Sequence, residues 1–437
     1  MALLTKAPRG TADLLPSESH KIQYIEQTVM DVATAFGFHE IRVPVFEHAE
    51  LFNRSVGETT DVVQKEMYTF EDNGGRSLSL RPEGTAGVVR AFLEHGLFNE
   101  PLPQKLSYLV SCYRYEKPQA GRYREFHQFG VECIGAASPA ADAEIISLAN
   151  TVFEAIGLRD ISLEINSIGC PSCRKEYHKA LKEYFTSKES ELCGTCRDRL
   201  ERNPMRILDC KSPICKEIAR EAPTVLDYLC KDCQEHFDAV KSYLEAMEIP
   251  FSVNPRIVRG LDYYTRTVFE FVSSSIGAQG TVCGGGRYDG LVGELGGSPL
   301  PACGFGMGIE RLRLVMENQG IDFPEAQRCN LYIVSTDRES SLEAARIASE
   351  LRSNGICCEY DLCGRSVKAQ MKHAGKLGAD YTMVLGTDEL SSRSVVVKNM
   401  QNGTTQELSL EDFSIAFLRM NIDQIVGDFS LDAPIEI

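Results

Sequence analysis

The chain has 437 residues, 43% hydrophobic and 25% charged, an ordinary globular composition with length for two or three domains. No apolar run approaches the roughly 20 residues that span a bilayer, and the opening MALLTKAPRGTADLLP lacks a signal-peptide core. A cytoplasmic protein without membrane contact is expected. The net charge of -16 argues against indiscriminate nucleic-acid binding but permits a local basic site on an acidic body.

In chain order, Pro16-Ser17 opens a helix with Ser17 as N-cap, and Ile22, Ile25, Val29, Val32 and Phe36 recur at helical spacing until Gly37 stops it. HEIRVPVFEHAELF reads as extended chain interrupted by Pro44, hence an edge or an interface. MYTFEDNGGRSLSL is a strand pair turning at Asn73-Gly74. Arg81-Pro82-Glu83-Gly84-Thr85 ends that strand and begins a helix through Ala91. Glu83 and Thr85 suit either helix capping or a pocket wall.

Ser107 to Gly135 reads as two antiparallel strands around a loop with Pro118 and Gly121. Arg124, Phe126, Gln128, Gly130 and Glu132 share one parity and face the same way. Such a face is expensive to bury unless a polar ligand pairs with it. A solvated hairpin is the plain alternative.

Sixteen cysteines are unevenly spread. Cys170/Cys173, Cys193/Cys196, Cys210/Cys215 and Cys230/Cys233 fall in a segment, 166–240, that reads as an inserted domain with a helix over Lys175–Phe185. In a reducing compartment paired thiols point to structural zinc rather than disulfides. Which pairs combine is open, and ordinary core cysteines are the alternative.

Beyond the insertion, Thr265, Thr267, Phe269 and Phe271 mark a strand, preceded by Arg259, Asp262, Tyr263 and Tyr264 beside Gly260. An arginine next to such a tyrosine pair suits an anion. CGGGRYDG and CGFGMGIERL match neither a phosphate-binding loop nor a dinucleotide fingerprint. The second reads as a glycine-rich strand entering a helix, with Arg311 in its first turns, able to stack or bind phosphate. From Asn330 the chain alternates β and α as a small α/β domain. There Lys368, Lys372 and Lys376 lie on one helix face behind Arg365.

These motifs resemble, in order and from Pro8 to about Leu418, those of histidyl-tRNA synthetases, a family of class II aminoacyl-tRNA synthetases. The matching stretches are PRGTADLLP, LRPEGTAG, YRYEKPQAGRYREFHQFGVE (motif 2), RGLDYYTRTVFE, CGGGRYDGL and GFGMGIERL (motif 3). The cysteine-rich insertion falls where the family varies, so the resemblance does not bear on zinc.

The resemblance implies an α+β catalytic domain, an antiparallel sheet flanked by helices, with a small inserted Cys-rich helical domain and a C-terminal α/β anticodon-binding domain. The boundaries expected are 1–165 and 241–325 for the catalytic domain, 166–240 for the insertion, 326–421 for the anticodon domain and 422–437 for an acidic tail. It implies histidine–tRNA ligase activity in a homodimer, with L-histidine, ATP with Mg²⁺, and histidine tRNA as partners. The first helix and the Pro44 strand would form the dimer contact. Arg114 would clamp the substrate carboxylate and α-phosphate, with Glu116 on the adenine amino group, Phe126 under adenine, Arg311 on its other face and Arg122 on the outer phosphates. Glu83, Gly84, Thr85, Arg114, Gln128, Glu132, Arg259, Tyr263 and Tyr264 would surround histidine, with Arg259 also stabilising the α-phosphate. Lys117 and Gln119, in a loop mobile until tRNA arrives, would meet the acceptor end. The rival reading is the histidine-binding regulatory subunit of ATP phosphoribosyltransferase, which lacks the last domain and erodes catalytic positions. A zinc-binding adaptor is a third and leaves the polar pocket unexplained.

Overall fold

A computed structural model describes residues 4–57, 60–210 and 212–428. The chain divides into two compact units, Met1–Pro324 and Glu325–Ile437. No helix among the described residues is long and apolar enough to cross a membrane.

The strands of the first unit are β1 (His39–Glu40), β2 (Phe46–His48), β3 (Thr69–Glu71), β4 (Ser77–Leu80), β5 (Gln104–Tyr113), β6 (Glu125–Ile134), β7 (Ile161–Ser167), β8 (Phe251–Val253), β9 (Thr265–Ser273), β10 (Thr281–Arg287) and β11 (Ala302–Gly308). Eight of them form one sheet in the order β1-β5-β6-β11-β10-β9-β7-β8. Its interior pairs are antiparallel, and the outermost pairs, β1 with β5 and β7 with β8, are parallel. Strands β2, β4 and β3 make a small separate sheet.

Alternation along the strands divides the large sheet into an apolar and a polar face. Phe129, Val131 and Cys133 of β6, Phe269 and Phe271 of β9, and Cys303, Phe305 and Met307 of β11 belong to one core. Helices Pro16–Ala35, Pro139–Ala155, Lys231–Ala246 and Ile309–Gln319 supply the rest of it. The alternate residues of the same strands point away from these helices and build the site described below.

A buried ion cluster ties helix to sheet within this unit. The Arg287 guanidinium donates to both Asp142 carboxylate oxygens, at 3.2 and 3.1 Å from Nε, and to the Ala136 carbonyl at 2.9 Å. His236 meets the same carboxylate at 3.2 Å. Arg287 and Asp142 side chains are 1% and 2% exposed. Burial alone would raise the Asp142 carboxyl, but the His236 and Arg287 bonds outweigh it and hold it below the usual carboxylate range.

The second unit has β12 (Leu331–Ser335), β13 (Cys358–Tyr360), β14 (Tyr381–Leu385), β15 (Ser394–Asn399) and β16 (Thr405–Ser409) in the order β13-β12-β14-β15-β16. The first three are parallel and the last two antiparallel to their neighbours. Lys368, Lys372 and Lys376 are exposed on helix Val367–Leu377, while Arg365 is paired with Asp361 at 2.8 Å.

Several local readings are corrected. Leu15 rather than Ser17 is the first N-cap, because Pro16 takes the first helical position, where its missing N–H costs nothing. The AELF run expected as strand starts helix Ala49–Val56, burying Phe52 and Val56. The β3–β4 turn spans Asp72 to Arg76: the Asp72 carboxylate accepts from the Gly74 and Arg76 N–H groups at 2.9 Å, and Gly75, not Gly74, takes the positive φ. Helix Thr85–Glu94 continues past Ala91. Helix Phe413–Asp428 runs through position 422, where a tail was expected to begin, and residues after 428 lie outside the described chain.

Candidate active site

The hairpin β5–β6 forms the floor of the site. Its register sets Cys112 opposite Phe126, Val110 opposite Gln128, Tyr108 opposite Gly130 and Leu106 opposite Glu132. Gly130 is a steric necessity, because a Cβ there would collide with the Tyr108 ring. The glycines of β10 and β11 serve the same end on the polar face. A Cβ on Gly304 would strike the Glu132 carboxylate, one on Gly306 the Gln128 amide, and one on Gly284 the Arg259 guanidinium. Both glycine-rich motifs thus clear room for polar side chains, as close approach requires.

These side chains open into a cavity of about 650 Å³, a size suited to a small-molecule substrate. Glu83, Thr85, Gln128, Tyr263 and Tyr264 line it, together with Arg114, Glu116, Arg122, Phe126, Arg259 and Arg311. Glu83 satisfies both of its sequence readings. Its carboxylate accepts from the Thr85 and Ala86 N–H groups at 2.8 Å, capping helix Thr85–Glu94, while it faces the cavity. Gly84 does not line the cavity; its N–H donates to the Gln128 side-chain oxygen at 3.1 Å and so orients that amide.

Glu132 is withdrawn behind the wall. It is 0% exposed and accepts hydrogen bonds from Tyr108, at 2.9 Å, and from Tyr288. Tyr288 stacks edge-on against Tyr263 with ring centres 5.5 Å apart, and Tyr263 lies 4.6 Å from Tyr264. Burial pushes the Glu132 carboxyl up to about 8. The unfolded chain releases this proton near pH 4.5, so the folded state binds the extra proton between about 4.5 and 8 and loses stability as pH rises across that window. Glu132→Gln is expected to melt increasingly above the wild type as pH is raised from about 4.5 to 8, read by thermal scans in a pH series; parallel curves would contradict this.

The cationic groups are held by carboxylates and carbonyls. Arg114 donates to the Pro82 carbonyl at 2.8 Å and lies 5.4 Å from the Phe126 ring centre. Arg122 donates to Glu116 at 2.7 Å. Arg311 donates to the Thr281 carbonyl at 2.5 Å, and burial lowers its pKa. Arg259 is ion-paired with Glu270, whose other oxygen accepts from Thr281 at 2.8 Å. Burial opposes the charge on Arg259, but Glu270 and the two tyrosines outweigh it and raise its pKa.

Glu270, Thr281, Tyr108, Tyr288 and Glu310 belong to the site but carry no separate signal in the sequence. Glu270 closes the RGLDYYTRTVFE stretch, which marks the position without giving it a role. Glu310 accepts from the His127 backbone N–H at 3.0 Å and meets its ring at 2.7 Å, fixing motif 3 to motif 2. Lys117 and Gln119 do not line the cavity; they are exposed in the β5–β6 loop, where Gln119 and Arg122 exchange backbone bonds at 3.2 and 2.9 Å.

The eight insertion cysteines gather into two groups. Cys170, Cys173, Cys230 and Cys233 form one, and Cys193, Cys196, Cys210 and Cys215 the other. In each, the sulfurs all lie within 4.8 Å of one another.

Comparison with known proteins agrees with this geometry. A family model described as histidyl-tRNA synthetase matches residues 10–312, and one described as anticodon binding domain matches residues 330–419. The histidine–tRNA ligase of Acetivibrio thermocellus is 55% identical over 418 residues, covering 96% of this chain and 100% of the relative. That of Caldanaerobacter subterraneus is 54% identical over 414 residues, covering 95% and 99%. The apo histidyl-tRNA synthetase of S. aureus superimposes with a TM-score of 0.81 at 39% identity, over 95% of this chain and 100% of that one. With the class II sheet, its polar pocket and these matches together, the chain belongs to the histidyl-tRNA synthetase family.

Proposed function

We propose that the chain is a histidine–tRNA ligase, activating L-histidine with ATP and transferring the histidyl group to the 3′ end of histidine tRNA. The observation that carries this is one cavity holding a Glu83–Thr85–Gln128–Tyr263–Tyr264 wall together with Arg114, Arg259 and Arg311. Phe126 and Gln128 sit two residues apart on one strand face, about 7 Å along it, so an adenine over one places its α-phosphate near an amino acid on the other.

In this reading a histidine carboxylate oxygen attacks the α-phosphorus, the bond to the bridging oxygen breaks, and pyrophosphate leaves. A ribose hydroxyl of tRNA then attacks the adenylate carbonyl, losing its proton as AMP departs. No protein nucleophile is required. Arg114 and Arg259 hold the carboxylate and α-phosphate in line and offset the charge that builds there. Arg122, now bonded to Glu116, takes the outer phosphates, and Arg311 covers adenine. Magnesium bound with ATP would supply neutralising charge, and Glu116 and Glu270 are among the carboxylates lining the cavity that could help hold it. Gln128, the tyrosines and the Glu132 carboxyl behind them select the amino group and imidazole, and a polar pocket of this kind rejects analogues lacking its partners by about 10⁴-fold or more. Lys117 and Gln119 are assigned to the tRNA acceptor end. The second unit is assigned to the anticodon, and the cysteine groups to structure rather than chemistry. A cytoplasmic homodimer fits the same reading.

Charging tests it. Purified full-length protein with ATP and a histidine tRNA transcript is expected to attach histidine and no other amino acid. Histidine binding without charging would favour the regulatory-subunit reading instead.

A further inference from the structure

We infer that the insertion holds two zinc ions, one on Cys170, Cys173, Cys230 and Cys233 and one on Cys193, Cys196, Cys210 and Cys215, and that these ions brace the wall of the histidine pocket. The pairing follows from the grouping of the sulfurs. Zinc–sulfur bonds of about 2.3 Å in a tetrahedron require sulfurs roughly 3.8 Å apart. Cys170 and Cys173 are separated by 3.6 Å, Cys193 and Cys210 by 3.8 Å, and all pairs within each group stay inside 4.8 Å. Backbone N–H groups already point at the sulfurs, from Cys230 to Cys173 at 3.0 Å, from Cys193 to Cys215 at 3.3 Å and from Ser212 to Cys210 at 3.4 Å. Thiolates bound to a metal are stabilised by such outer donors. Two disulfides would satisfy four thiols pairwise and would not draw four sulfurs into one cluster.

The two groups have different places in the chain. The first closes the neck of the insertion. Cys170 and Cys173 follow β7 directly, and Cys230 and Cys233 open helix Lys231–Ala246, which leads to β8. Arg174, next to Cys173, donates to the Tyr264 carbonyl at 3.1 Å. The second group pins the segment between Asn203 and Lys216. Arg206 in it donates to the Gly260 carbonyl at 2.7 Å and to Asp262 at 2.9 Å. Asp209 and Lys216, which line the cavity from the insertion, each adjoin a cysteine of this group, Cys210 and Cys215. Each metal group is thus one residue or a short segment from a contact that fixes the Arg259–Tyr264 stretch. The bracing rests on the ligase reading; the metal content does not.

Elemental analysis of the full-length protein, purified under reducing conditions, is expected to give two zinc per chain. X-ray absorption at the zinc edge should give four sulfurs at about 2.3 Å. A mercurial titration should release both ions as the eight insertion thiols react, beyond the accessible thiols elsewhere such as Cys363. Iron in place of zinc, one ion or none per chain, or nitrogen and oxygen neighbours would overturn the assignment. Cys230→Ser/Cys233→Ser is expected to keep one zinc; loss of both from a variant that retains its circular dichroism would overturn the pairing. For the bracing, Arg206→Ala in the zinc-loaded protein should raise the KM for histidine about tenfold with both ions retained, and an unchanged KM would overturn that part alone.

Discussion

Arg259→Ala is expected to lower histidine-dependent pyrophosphate exchange by about 10²–10³-fold, the usual cost of one group aimed at developing charge, while the Kd for histidine changes less than tenfold. Arg259 stands at the cavity wall, bonded to Glu270 and 5.5 Å from the Tyr264 ring centre. A fixed guanidinium in a site shielded from water stabilises charge that builds on the α-phosphate without reorganising at the moment of reaction. Histidine binding draws on many other partners, so the loss falls on kcat. Truncation also leaves the Glu270 carboxylate without its cation, which adds repulsion toward ATP. Glu270→Gln separates the two effects, because it removes the carboxylate and keeps the arginine. Arg259→Lys should recover only part of the rate, since an ammonium lacks the planar fork. Exchange at the wild-type rate in Arg259→Ala would remove Arg259 from the reaction.

Arg287→Met is expected to destabilise the first unit by about 3–5 kcal/mol, the cost of stranding a buried charge. Asp142 would lose its guanidinium partner while remaining 2% exposed, with His236 left as its neighbour. The loss should be read from chemical denaturation at constant pH. Asp142→Leu together with Arg287→Met should recover much of it, because replacing both members of a buried pair by apolar residues is often neutral. Equal stability of Arg287→Met and wild type would contradict the clamp.

The sheet and its site were legible to different degrees. Parity along Arg124 to Glu132 was enough to read β6 and to mark its polar face, because strand geometry has an unambiguous period. The glycine-rich strand entering the helix with Arg311 was equally plain. Phe52 was misread because a short amphipathic helix after a proline-broken strand shows too few turns to declare its period. The β16 stretch TQELS gives little strand signal because it carries one buried position, Leu408. Glu132 was expected among the ligand's neighbours; it is fully buried, bonded by Tyr108 and Tyr288 and outside the cavity lining, and pattern alone does not give depth. The cysteine spacing suggested thiolate sites but not their partners, since Cys173 and Cys230 are 57 positions apart and the chain between them must fold before those thiols meet.

The central claim is that the cavity on the β5–β6 hairpin joins histidine to ATP by itself. Pyrophosphate exchange in the wild-type protein without tRNA tests it most directly. The account predicts incorporation of labelled pyrophosphate into ATP with histidine, and none with the other amino acids. Tight histidine binding with no exchange, in protein of unchanged fold and metal content, would contradict it.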